Sequence, residues 1–171
     1  FYGVFLYNRL VRSRNMVEEG WSGVEVQLKR RSNLVPNLVE TVKGYATHER
    51  GVLEEVTKAR AEAVAAGGLE ARRQAENGLT GAIGRLFAVA EAYPELRADA
   101  NFRDLQGQLA EIEDQIQKAR RYYNGAVRQL NTLVEVFPSN LVAGGFGFRL
   151  ATYFEIEDPR HREVPAVDFG A

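Results

Sequence analysis

Few side chains in this sequence are of the types that do chemistry, and their spacing decides what they can do. His48-Glu49 has the start of the His-Glu-x-x-His helix that binds zinc, but the second histidine would fall where Val52 stands. The one other histidine, His161, is far along the chain, and there is no cysteine, which excludes disulfides, thiolate nucleophiles and cysteine-based metal sites together. Glu111, Glu113 and Asp114 are spread around a helical turn and lack the Glu-x-x-His pairs of a di-iron bundle. They read as solvated charges. Ser22, Ser32 and Ser139 have neither a Gly-x-Ser-x-Gly elbow nor a histidine partner. The glycines from Gly78 to Gly84 lack the strand and the lysine-serine pair of a phosphate loop. No catalytic, metal or cofactor-binding residue is therefore assigned, and the chain reads as a non-enzyme.

Binding chemistry must be local, because 22 basic and 23 acidic residues leave a formal charge of -1. Lys29-Arg30-Arg31 and Arg120-Arg121-Tyr122-Tyr123 have the guanidinium and aromatic pairing that can hold a nucleic acid. Both clusters border apolar helical positions, however, where arginine stems ordinarily cover a core stripe. A nucleic-acid partner is not expected. The chain opens on the apolar run Phe1 to Tyr7, with Phe1, Tyr2 and Phe5 suited to a membrane-water interface, followed by Arg9, Arg12 and Arg14. Crossing a bilayer takes about 20 helical residues. The reading is the exit end of a truncated transmembrane anchor over residues 1–8, with anionic lipid near the arginines. Six basic residues against three acidic ones up to Arg31 predict a cytoplasmic domain.

Apolar spacing then predicts the elements that position these residues. Phe102, Leu105, Leu109, Ile112, Ile116, Ala119, Tyr123, Ala126, Leu130, Leu133 and Phe137 alternate steps of three and four, a heptad seam that predicts left-handed supercoiling and ends at Pro138. Ala75, Leu79, Ala82, Leu86, Val89 and Tyr93 make a second helix closed by Pro94, and its small residues suggest close helix approach. Leu38, Val42, Tyr45, Val52, Val56, Ala59 and Ala63 make a third, interrupted by Glu49 and stopped by Gly67-Gly68. Leu10, Val17, Trp21, Val24 and Leu28 make the first. Asn33 as a cap with Pro36 in the first turn favours a break there, the alternative being one long helix kinked at Pro36. The predicted fold is an all-α antiparallel four-helix bundle over residues 9–137. An extended, aromatic-rich C-terminal strap over 138–171 follows it.

Tyr7-Asn8-Arg9-Leu10-Val11, Leu34-Val35-Pro36-Asn37-Leu38-Val39-Glu40-Thr41-Val42-Lys43-Gly44-Tyr45-Ala46, Ala88-Val89-Ala90-Glu91-Ala92-Tyr93-Pro94, Ala119-Arg120-Arg121-Tyr122-Tyr123-Asn124, Phe137-Pro138-Ser139-Asn140 and Tyr153-Phe154-Glu155 together resemble the signature of the LemA family, in the family's order and over nearly the whole chain. The resemblance implies a bacterial protein with a short N-terminal tail, one transmembrane helix, a four-helix bundle and no established enzymatic activity. It also implies relatives in magnetosome membranes and genes often beside a membrane zinc protease.

Two functions fit. The first is a membrane-anchored interaction scaffold, single-pass in the inner membrane, that contacts another membrane protein or copies of itself. Trp21, Val24 and Leu28, without evident intrachain partners, are its expected contact, with Val164, Pro165, Val167 and Phe169 of the tail as the other. The second is a small-ligand or lipid-binding bundle whose loosened Gly78–Gly84 region opens a cavity lined by Ala75, Ala82 and Ala126. No cofactor is expected for either.

Overall fold

A computed structural model of the chain describes residues 1–156, whose regular elements are all helices, with no strand among them. The tail residues Val164, Pro165, Val167 and Phe169 lie outside the described residues. The elements are α1 (Tyr2–Lys43), α2 (Arg50–Ala65), α3 (Leu69–Ala90), α4 (Pro94–Ala98), α5 (Ala100–Glu135) and α6 (Ser139–Gly145).

α5 forms where the seam predicts it. Asp99 caps its start by accepting the Phe102 N–H at 2.8 Å, and Pro138 disfavours helix at the residue before it. The seam is buried from Phe102 to Leu133, with Ala119 partly covered. Its last predicted member, Phe137, is 79% exposed, because the helix ends at Glu135 and the chain turns extended at Val136.

α1 departs from the expected break. It runs for 42 residues, roughly 63 Å at 1.5 Å per residue, straight through Pro36. A proline inside a helix strands the carbonyl four residues earlier. Here that carbonyl belongs to Ser32, and Arg60 of α2 donates its Nε–H to it at 2.8 Å. The real interruption spans 44–49, so Glu49 does not break a seam. It precedes α2 and accepts the Tyr93 hydroxyl at 3.0 Å.

α1 and α5 run antiparallel along each other and bury three successive core layers. The distal layer joins Val35, Leu38 and Val42 of α1 to Val56 of α2, Leu79 and Leu86 of α3, Leu96 of α4 and Phe102, Leu105 and Leu109 of α5. Only here do four long helices share one core. The middle layer packs Val24 and Leu28 on Ile112, Ile116, Tyr123 and Val127, and is closed by Phe154 and Ile156 with Leu69 at its margin. The proximal layer sets Leu10 against Leu130, Leu133 and Ala143 of α6.

The expected C-terminal strap is thus partly helical. Ser139–Gly145 form α6, which buries Ala143 on Leu10, and Gly147, at φ +72°, turns the chain out of it. From Arg149 to Ile156 the chain has no regular secondary structure. Close helix approach also falls elsewhere than predicted. A Cβ at Gly78 or Gly84 would meet nothing within 4 Å, whereas one at Gly20 would lie 3.0 Å from the Tyr123 Cα.

Candidate functional site

The exposed apolar surface is concentrated at one end. Of fifteen large apolar side chains left exposed among the described residues, ten lie where α1 begins and α5 ends. Five are at the start of the chain, Phe1 before α1 and Tyr2, Val4, Phe5 and Tyr7 on it. The others, Val136, Phe137, Leu141, Phe146 and Leu150, are on the segment that follows α5. Tyr7 ties the two groups together, its ring 4.8 Å from Phe146 and 5.9 Å from Phe148. The pairing of Leu10 with Leu130 and Leu133 carries α1 about one turn past the end of α5.

Behind this apolar end stands positive charge. Residues 1–17 and 128–150 carry Arg9, Arg12, Arg14, Arg128 and Arg149 against Glu135 alone. All five arginines are exposed, and the Arg14 guanidinium lies 5.3 Å from the centre of the Phe148 ring. The apolar run of α1 is nevertheless short. Among the described residues no helix is long and apolar enough to cross a membrane.

The expected partner contact on α1 is largely an intrachain one. Val24 and Leu28 are fully buried against α5, and Trp21 is half-buried with its ring 5.5 Å from Tyr123 and 5.2 Å from Phe154. The missing partner is the segment after α6, which comes more than 120 residues later. Asn131 donates Nδ2–H to the Ala151 carbonyl at 3.0 Å and accepts the Ala151 N–H at 2.8 Å. Asn124 repeats this with Phe154 at 3.0 and 2.9 Å. Two asparagines seven positions apart on a helix are about 10.5 Å apart, close to the roughly 10 Å spanned by three extended residues. The Tyr123 hydroxyl adds a bond to the Thr152 carbonyl at 2.7 Å. Seven-residue spacing beside the seam is the sequence signal for this clamp, and the aromatic residues alone had pointed only to an unspecified strap.

The basic cluster at Lys29-Arg30-Arg31 is split by the fold. Lys29 and Arg30 are exposed, but Arg31 is fully buried and bridges α1, α3 and α5. Its Nη1 reaches Thr80 Oγ1 and Glu113 Oε1, both at 2.7 Å. Its Nη2 reaches Glu76 Oε2 at 2.6 Å and the Glu76 carbonyl at 3.1 Å. Burial alone would lower the Arg31 pKa, but the carboxylates of Glu113 and Glu76 reverse this and hold it above its ordinary value. Arg72 completes the group at 3.2 Å from Glu76 Oε1. Such a cluster gains little over apolar packing, yet it penalises any helix register that separates its members. In the other basic run, Tyr123 is buried, Arg120 reaches Glu155 and the Ile156 carbonyl at 3.4 Å, and Arg121 and Tyr122 are exposed.

Two open grooves accompany these features. One of about 430 Å³ lies between Val17, Trp21 and Glu25 of α1, Leu69 and Arg72 of α3, Tyr123 and Thr152. The other, about 800 Å³, runs between the end of α1 and α2 among Glu40, Lys43, Arg50, Glu54 and Lys58. Ala75, Ala82 and Ala126 line neither. Ala82 and Ala126 are core residues, and Ala75 packs on the distal layer.

The LemA family model matches residues 20–169. The chain is 29% identical to Magnetosome protein MamQ 2 of Paramagnetospirillum magneticum over 175 residues, covering 87% of this chain and 64% of that protein. It is 26% identical to Magnetosome protein MamQ of Magnetospirillum gryphiswaldense, covering 86% and 64%. It is 25% identical to Protein LemA of Metamycoplasma hominis, covering 84% and 67%. The chain thus spans about 64% of the length of the magnetosome relatives it matches.

Proposed function

Since the chain belongs to the LemA family, we propose that it is a membrane-attached helical scaffold without catalytic activity, which stands on a bilayer by the end where α1 begins and offers the rest of its helical surface to other proteins. The observation that carries this is the concentration of exposed aromatic and aliphatic side chains at that one end, backed by five arginines and a single glutamate. Interfacial aromatics followed by cations are what a bilayer boundary selects. Relatives named as magnetosome proteins support a setting at a membrane.

On this reading one span holds the protein in a bacterial inner membrane with the domain on the cytoplasmic side, which the exposed Arg9, Arg12 and Arg14 support. Confinement to a surface raises the effective concentration of copies and partners, so weak contacts suffice for self-association or for binding a second membrane protein. Val24 and Leu28, being buried, are not part of such a contact. Ala82 and Ala126 are buried in the core and line neither groove, so the scaffold reading is preferred to a small-ligand role.

The test uses the protein expressed from its own gene. It is expected to stay in the membrane pellet through high salt and alkaline carbonate, and a reporter after Ala171 is expected to be active in the cytoplasm. Release by salt alone would replace the anchor with peripheral attachment, and a periplasmic reporter signal would reverse the orientation.

A further inference from the structure

We infer that the segment from Val136 to Leu150 is a second bilayer contact, independent of α1, which rests on anionic lipid headgroups and fixes the angle at which the rod stands. The inference rests on the reading that this end faces a membrane, and goes beyond it by assigning a lipid surface to a segment after α5.

Three observations carry it. First, Phe137 and Leu141 are 79% and 66% exposed and contribute little to the fold, although Ser139 and Ala143 beside them are buried and hold the segment in place. The exposed side chains are therefore presented by an anchored segment. Second, the patch is continuous with the apolar start of α1 through the Tyr7–Phe146 ring contact, so one surface can cover both. Third, the charge is one-sided: Arg149 adjoins Leu150, Arg14 stacks on Phe148, and the acidic residue of this end is Glu135. An anionic bilayer complements both the apolar corner and the arginines. A second copy of this end would bring like charges together. Because α1 overhangs α5 by about a turn, its first residues would enter more deeply while Phe137 and Leu141 meet the headgroup boundary. Two contacts on different elements resist tilting, which one helix does not.

The absence of cysteine in the chain makes a single introduced cysteine a unique label site. The full chain carrying Leu141→Cys, or His48→Cys in the turn between α1 and α2, would bear an environment-sensitive fluorophore and be mixed with vesicles of phosphatidylcholine alone or of 3:1 phosphatidylcholine and phosphatidylglycerol. The label at 141 is expected to shift to the blue and to be quenched by spin-labelled lipid on the anionic vesicles, and the label at 48 to do neither. In the unlabelled chain, Phe137→Ser with Leu141→Ser is expected to weaken binding to anionic vesicles about tenfold without change in helical content. If the parent chain binds anionic vesicles but the serine pair changes nothing and the label at 141 stays water-exposed, the inference fails while the membrane-facing reading stands. If the parent chain binds neither vesicle type, the underlying reading fails with it. A blue shift at 141 that follows protein concentration without lipid would assign the patch to self-association and overturn the inference.

Discussion

Replacing Arg31 by leucine puts the buried charge cluster to a quantitative test. The substitution removes four hydrogen bonds, two of them to Glu76, whose side chain is 1% exposed. Glu113, at 23%, can turn to water, but Glu76 keeps only Arg72 at 3.2 Å. Removing one partner of a buried ion pair leaves the other charge uncompensated and typically costs about 3–5 kcal/mol. The residual Arg72 contact reduces this, so a loss of about 2–4 kcal/mol is expected. Urea unfolding followed by far-ultraviolet circular dichroism reads it. Arg31→Leu combined with Glu76→Leu should recover most of the loss, since apolar packing replaces such clusters at little cost. A single-variant deficit under about 1 kcal/mol, or a double variant no more stable than the single one, would refute the argument.

Asn124→Ala leaves the Phe154 N–H and carbonyl unpaired, at about 1–3 kcal/mol for each group that stays buried. The segment should fray, and Trp21, the single tryptophan, should emit further to the red; unchanged emission would mean that the asparagine does not hold it. Gly23→Ala, with nothing within 4 Å of its added carbon, should gain up to about 1 kcal/mol of helix propensity. Gly20→Ala should lose that gain against the Tyr123 backbone, and equal thermal shifts for the two would count against the close approach. The Phe102 N–H, and next the Tyr45 hydroxyl, hold the Asp99 carboxyl below its ordinary pKa, so its contribution is complete above about pH 4 and is lost as pH falls through the folded value. Asp99→Ala should flatten that acid limb in thermal melts, and an unaltered limb would show the cap to be idle.

Legibility followed the range over which each residue finds its partner. The α5 seam is satisfied by a regular alternation that any neighbouring helix can use, so it could be read from spacing alone, as could the stop at Pro138. Pro36 was misjudged because the breaking rule concerns a local carbonyl, while the donor that rescues Ser32 comes from Arg60 on another helix. Arg31 looked like one of three clustered surface cations. Its partners, Glu76 and Glu113, are 45 and 82 positions away, and neither belongs to an apolar register that would announce it. Val24 and Leu28 seemed unpartnered because part of their cover, Phe154 and Ile156, has no periodicity to match them, although the rest comes from α5. At the apolar end, the α1 aromatics were legible as exposed. Phe137 was not, because the seam offered it a buried place that the end of α5 withdrew.

The layering of the core also sets an order of assembly during synthesis. Every buried member of the distal layer lies between Val35 and Leu109, whereas the middle layer waits for Ile156 and the proximal layer for Leu130 to Ala143. At about 5–20 residues per second, the ribosome makes Leu130 roughly 6–24 s after Leu10. Through that interval the apolar face of the first half of α1 has no partner from α5, while every residue of the distal layer has been made by Leu109. The first half of α1 thus stays without its own cover until the last third of the chain has been made.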